Sequence, residues 1–125
     1  MKQAETVTLF RPVGPEELAL LQQNGFSRWP PRLPEQPIFY PVTNERYASE
    51  IAEKWNVKQS GYGAVTCFRV KAAFMASYPI QRVGGAHHTE WWIPAEKLEA
   101  LNDNLVGMIA VSYTHLRAHE TDSYL

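Results

Sequence analysis

Between Trp29 and Val42 the chain reads Pro30-Pro31-Arg32-Leu33-Pro34-Glu35-Gln36-Pro37, with four prolines in eight residues and a further proline at position 41. Proline fixes φ and offers no N–H, so this stretch can be neither a helix nor an interior strand. It is expected to be a rigid surface loop separating a short N-terminal strand–helix unit from a longer C-terminal part. Proline also restricts the unfolded chain, so the loop should be ordered, with Leu33 as its anchor in the core.

The flanking segments carry clearer periodicity. Thr6–Arg11 alternates as a strand that Pro12 should end, and Pro15–Gln23 reads as a helix with proline in its first turn and Asn24-Gly25 as its stop. Phe26–Trp29 is expected to be a short strand, and Ile38–Val42 an edge strand, because Pro41 cannot donate to a ladder. Asn44 should cap a second helix that lays Tyr47, Ile51 and Trp55 on the sheet at i, i+4 and i+8. Ala64–Val70 is the best central-strand candidate, followed by a helical excursion over Lys71–Tyr78 and strands at Ile80–Val83 and Glu90–Ile93. A helix over Ala95–Leu101 and a final strand over Leu105–Ala110 complete the reading. Strands and helices without a strict βαβ rhythm predict an α+β single domain with a split mixed or antiparallel sheet and two to four short helices.

The last residues stand apart. Val111–Thr121 reads, residue for residue, as the translation of a transposase-type sequencing adapter, with residues 122–125 as index and continuing adapter. Such a segment has no place in functional reasoning. His115 and His119 with Glu120 would otherwise imitate a helical metal motif. The natural part is thus expected to be a domain over residues 1–110, cut short at its last strand, with a tail at 111–125 that packs only opportunistically. Without the tail, Lys+Arg falls from 12 to 11 and Asp+Glu from 13 to 11, moving the formal charge from −1 to 0.

A neutral chain does not draw nucleic acid by bulk charge. No run approaches a membrane span and the N-terminus has no apolar leader, so a cytoplasmic protein with no membrane partner is expected. Cys67 is the single cysteine and sits in an apolar run, which points to a buried thiol. Gly61-Tyr62-Gly63 and Gly84-Gly85 fit no dinucleotide or phosphate-loop fingerprint.

The chemistry concentrates in His87-His88-Thr89-Glu90-Trp91-Trp92. A carboxylate placed against indoles is partly desolvated and electrostatically potent, which makes Glu90 the candidate catalytic residue. His87 and His88, adjacent in a strand, should point to opposite faces and so cannot form one simple metal site, although His88 could contact a ligand. No metal is expected.

Two resemblances extend this reading. Leu9-Phe10-Arg11-Pro12-Val13, the stretch Phe26–Val42, Trp55-Asn56-Val57 and Glu90–Glu96 with Val106-Gly107 resemble a family of small bacterial proteins that often carry the label "ADP-ribosylation/crystallin J1". The hydrolase evoked by that label is a much longer all-helical enzyme, and its metal-binding acids are not carried over to this short, β-rich chain. The order of elements, with Arg11 on the first strand, Tyr40 on the second and Glu90 opening a late strand, is similar to the split-sheet ADP-ribosyltransferase fold. That resemblance implies NAD as substrate: Arg11 holds a phosphate or ribose oxygen, Tyr40 and Trp91 or Trp92 stack on a ring, and Glu90 stabilises the sugar cation formed when the nicotinamide–ribose bond breaks. No Ser-Thr-Ser signature is present, and His88 stands where arginine-modifying members have a second acid, so activity on protein arginine is not implied.

Three functional classes follow. The first is an NAD-cleaving enzyme or ADP-ribose-binding protein. The second is a non-catalytic interaction module on the same fold, in which Arg32, Glu35 and the proline loop recognise a protein partner. The third, a metal-dependent hydrolase, is disfavoured because His87 and His88 are the only imidazoles in the natural part.

Overall fold

A computed structural model describes residues 5–116, with side chains over residues 5–114. Its frame is a long antiparallel pair. Strand β1 (Thr6–Val13) lies along β3 (Tyr62–Lys71), from Thr6 opposite Lys71 to Val13 opposite Ala64. The other edge of β3 carries β7 (Ala110–Leu116), with a register shift between Val65 and Thr66. Outside β1, Val42 bridges Phe10 on one side and Glu90 on the other. Glu90 belongs to β5 (Thr89–Glu90), which pairs with β4 (Gln81–Arg82), while β2 (Ile38–Phe39) pairs separately with β6 (Ile93–Pro94). The fold is the expected α+β single domain with split, antiparallel pairing.

Pro12 does not end β1, and the ladder explains why. Phe10 exchanges both backbone bonds with Val42, at 2.9 and 2.7 Å, so the N–H positions of Phe10 and Pro12 both face away from β3. The missing donor of Pro12 therefore costs no bond to β3, and the strand runs on to Val13.

Helix α1 (Pro15–Gln23) matches its expected bounds, and Gly25 at φ 70° turns the chain out of it. Phe26 follows at φ 59°, in the left-handed region, so Phe26–Trp29 forms a turn rather than the predicted strand. The Asn44 side chain accepts the Tyr47 N–H at 2.7 Å and caps α2 (Glu45–Ile51) as expected. The helix then runs through a π-helical turn (Ala52–Asn56) into α3 (Val57–Ser60), which stops at Gly61 with φ 74°. The wider turn shifts the helical phase, and Trp55, expected on the sheet, is 63% exposed. Ala52 and Asn56 face β3 instead: a Cβ built on Gly63 would lie 2.8 Å from the Ala52 carbonyl and 2.9 Å from Asn56 Cβ.

A short helix α4 (Ala72–Met75) and a 3-10 turn (Ala95–Lys97) leading into α5 (Leu98–Asp103) complete the helices. The predicted strand over Leu105–Ala110 is broken by Gly107 at φ 81°; Leu105 alone bridges Val70, and continuous pairing starts at Ala110. Residues 111–116 of the expected tail thus take the edge of β3, where the Ser112 hydroxyl also donates to the Val65 carbonyl, while Val111 and Tyr113 are exposed; residues 117–125 lie outside the described residues.

Side chains alternate across β1, so the sheet buries two clusters. Leu9 and Val13 face a large core with Trp29, Phe39, Phe68 and Trp91. Phe10 faces a smaller one, where Val42, Ala48, Ala52 and Val65 pack under α2 with Tyr47. The proline loop is tied down at Trp29, which is fully buried, and its backbone N–H and C=O bond the Asn102 side chain at 2.7 and 2.9 Å. Leu33, the expected anchor, is 56% exposed.

Candidate functional site

Phe10, Val42 and Glu90 stand opposite one another across two antiparallel bridges, so their side chains share a face, and that face is the one beneath α2. Glu90 is buried there. Tyr47 donates its hydroxyl to one Glu90 oxygen at 3.0 Å, and Trp92 donates its indole N–H to the other at 2.7 Å. Burial, together with the bond to Glu90, pushes the Tyr47 hydroxyl up to about 12, so it remains a proton donor across the neutral range. Trp92, two residues on, shares the face and is 45% exposed, whereas Trp91 points into the large core at 5% exposure. The indole available to a ligand near Glu90 is that of Trp92; Trp91, assigned to cofactor contact from the sequence, has its ring in the core.

His87 and His88 also depart from expectation. They lie in the turn that follows Gly84-Gly85, outside any strand, and so do not alternate. Both Nε2 atoms reach one carboxylate, Glu50 of α2, at 2.8 and 3.0 Å. These bonds hold the Glu50 carboxyl down at about 2. The His88 ring lies 4.8 Å from Tyr47, and the Thr43 and Thr89 hydroxyls bond across the strands. Glu50 had no distinguishing sequence signal; only the α2 cap at Asn44, whose side chain also donates to the His87 carbonyl, places it opposite the turn.

Arg11 follows Phe10 and points to the other face. Its guanidinium forms a bidentate pair with Glu17 of α1, both contacts at 2.9 Å, and stacks 4.6 Å above the Phe39 ring. Arg11 and Glu90 therefore do not converge on one cleft. Tyr40, the expected middle member, is 44% exposed and within electrostatic reach of Arg32, whereas the Glu90 carboxylate is bonded by Tyr47 and Trp92. The five residues assigned to one NAD site are thus divided, with Glu90 and His88 on the α2 face, Arg11 and Trp91 toward the large core, and Tyr40 exposed.

What Arg11 does line is a cleft of about 400 Å³ between α1 and the proline loop, with Gly14, Glu17, Leu20, Pro30, Pro31, Arg32 and Leu33 among its walls. Arg32 is half-buried beside it, its guanidinium 5.8 Å above the same Phe39 ring, and its Nε is buried without a hydrogen-bond partner. Burial and the neighbouring Arg11 charge lower the Arg32 pKa from its ordinary value, against a smaller opposing effect of Glu17. Arg11 has its counter-charge in Glu17; among the described residues no carboxylate lies within ion-pair distance of Arg32. Burial raises the Cys67 thiol above its ordinary value, which disfavours the thiolate.

No family model, curated protein or solved structure matches this chain. Among the described residues no helix is long and apolar enough to cross a membrane.

Proposed function

We propose that this chain is a non-catalytic binding module whose proline loop and helix α1 form a receptor cleft for an acidic segment of a partner protein. The observation that carries this reading is Arg32, a half-buried guanidinium with an orphaned Nε, facing a cleft next to a second guanidinium that is already neutralised. Arg32 has no carboxylate within ion-pair distance among the described residues, and one arriving in the cleft would supply the missing counter-charge. The planar fork of arginine suits such a group in bidentate geometry.

The walls favour a peptide over a nucleotide. Among the described residues no aromatic side chain lines the cleft to stack on a base, whereas Leu20 and Leu33 flank it at 46% and 56% exposure and suit apolar side chains beside the acid. The prolines hold this surface in shape before binding, which lowers the ordering cost. NAD cleavage is not part of the proposal, because the carboxylate that would stabilise a sugar cation and the guanidinium that would hold phosphate face opposite sides of the sheet. Titration with a capped tetrapeptide of two leucines and two glutamates tests the reading: saturable binding that Arg32→Ala weakens about ten-fold or more supports it, and binding indifferent to Arg32 refutes it.

A further inference from the structure

On the opposite face, we propose that Glu50, His87 and His88 form a binding site for a divalent first-row transition-metal ion. One donor atom from each residue lies within 4.8 Å of the others, with the two imidazoles already turned onto the carboxylate. A tetrahedral ion with bonds near 2.1 Å separates its ligand atoms by about 3.4 Å, so opening the 2.8 and 3.0 Å contacts and drawing in donor atoms that lie up to 4.8 Å apart would admit one. Two imidazoles and a carboxylate are the donors that zinc and its neighbours take, and three protein ligands leave a coordination position open. The side chains are 26%, 31% and 28% exposed for His87, His88 and Glu50, which gives an ion access. Glu45 and Glu53 line the depression beside Glu50 and add negative charge, while Arg46, at 3.5 Å from Glu50 and 73% exposed, can swing away.

The turn sets a specific requirement. Gly85 donates its backbone N–H to His88 Nδ1 at 2.9 Å, so in the metal-free protein the His88 proton sits on Nε2 and is donated to Glu50. An ion on Nε2 moves that proton to Nδ1, and the Gly85 amide must then turn away. Two consecutive glycines give the backbone that freedom. Gly84 is also needed for the approach, since a Cβ there would lie 2.6 Å from His88 Nδ1.

The test is a Zn²⁺ titration of the full chain carrying His115→Ala and His119→Ala, which removes the imidazoles of the tail. Calorimetry should give one ion per chain, and His87→Asn or His88→Asn should each weaken binding about ten-fold or more. In the unsubstituted His87–His88 protein, the Gly85 amide resonance should shift in step with occupancy, a readout that does not depend on any variant folding. Absence of saturable binding, equal binding in the double His87→Asn/His88→Asn variant, or a stationary Gly85 amide at saturation would overturn the proposal.

Discussion

Arg11 and Glu90 lie on opposite faces of one sheet, because Glu90 is in register with Phe10 through Val42, and Arg11 is the next residue along β1. The two residues should therefore be functionally independent. Glu90→Gln is expected to leave acidic-peptide affinity within about two-fold, to leave nicotinamide release from NAD at background, and to lower stability by about 1 kcal/mol. The cost arises because Trp92 can only donate, which forces the amide oxygen toward it and the amide nitrogen toward the Tyr47 oxygen. Urea denaturation and peptide titration of the same variant check both halves.

The loop is held by a side chain distant in sequence. Asn102→Ala leaves the Trp29 N–H and C=O buried without partners, and a loss of about 2–4 kcal/mol is expected. Peptide affinity should fall as well, since Trp29 is where the proline loop leaves the core. Equilibrium denaturation with peptide titration of the folded fraction measures the two effects.

Tyr47 gives the fold an alkaline dependence of known sign. Its folded value, about 12, lies above the unfolded value near 10. Its contribution is thus fully present below pH ~10 and is lost as pH rises toward ~12. Stability measured at pH ~9 and ~11 should decline more in the parent chain than in Tyr47→Phe, which has no proton to lose.

Gly63→Ala tests the π-helical turn. The added methyl would meet the Ala52 carbonyl and Asn56 Cβ at under 3.0 Å, and a loss of about 1–3 kcal/mol is expected from overpacking. The same substitution at Gly25, where no atom lies within 4 Å but φ is 70°, should cost about 1 kcal/mol through backbone strain alone. Thermal melts of the pair separate the two causes.

Local signals carried the elements whose causes are local. Pro15 and Asn24-Gly25 bounded α1, Asn44 capped α2, and the β-rich run at Ala64–Val70 marked the central strand. What failed depended on partners distant in sequence. Pro12 continues a strand because of which neighbour its missing N–H faces, and Trp55 leaves the sheet because of one widened turn. Glu90 is the buried carboxylate against an indole that the run Glu90-Trp91-Trp92 suggested, with Trp92 as its partner, but Tyr47, which bonds it, and Glu50, which bonds His87 and His88, come from a helix some forty residues earlier. Arg32 was legible in the sequence as part of a rigid loop that, with Glu35, could recognise a protein partner. That its Nε is orphaned beside Arg11 required the packing of α1 against that loop.

The central claim is that the unpaired Arg32 guanidinium awaits an acidic partner, and its own Nε–H resonance reports on this most directly. On titration with the leucine–glutamate peptide, the Arg32 Nε–H signal is expected to shift saturably downfield together with the Gly14 and Glu17 amides, while the Glu90-bonded Trp92 indole signal stays in place. An Arg32 signal that does not move at millimolar peptide, or one that moves only together with the Trp92 indole, would contradict the account.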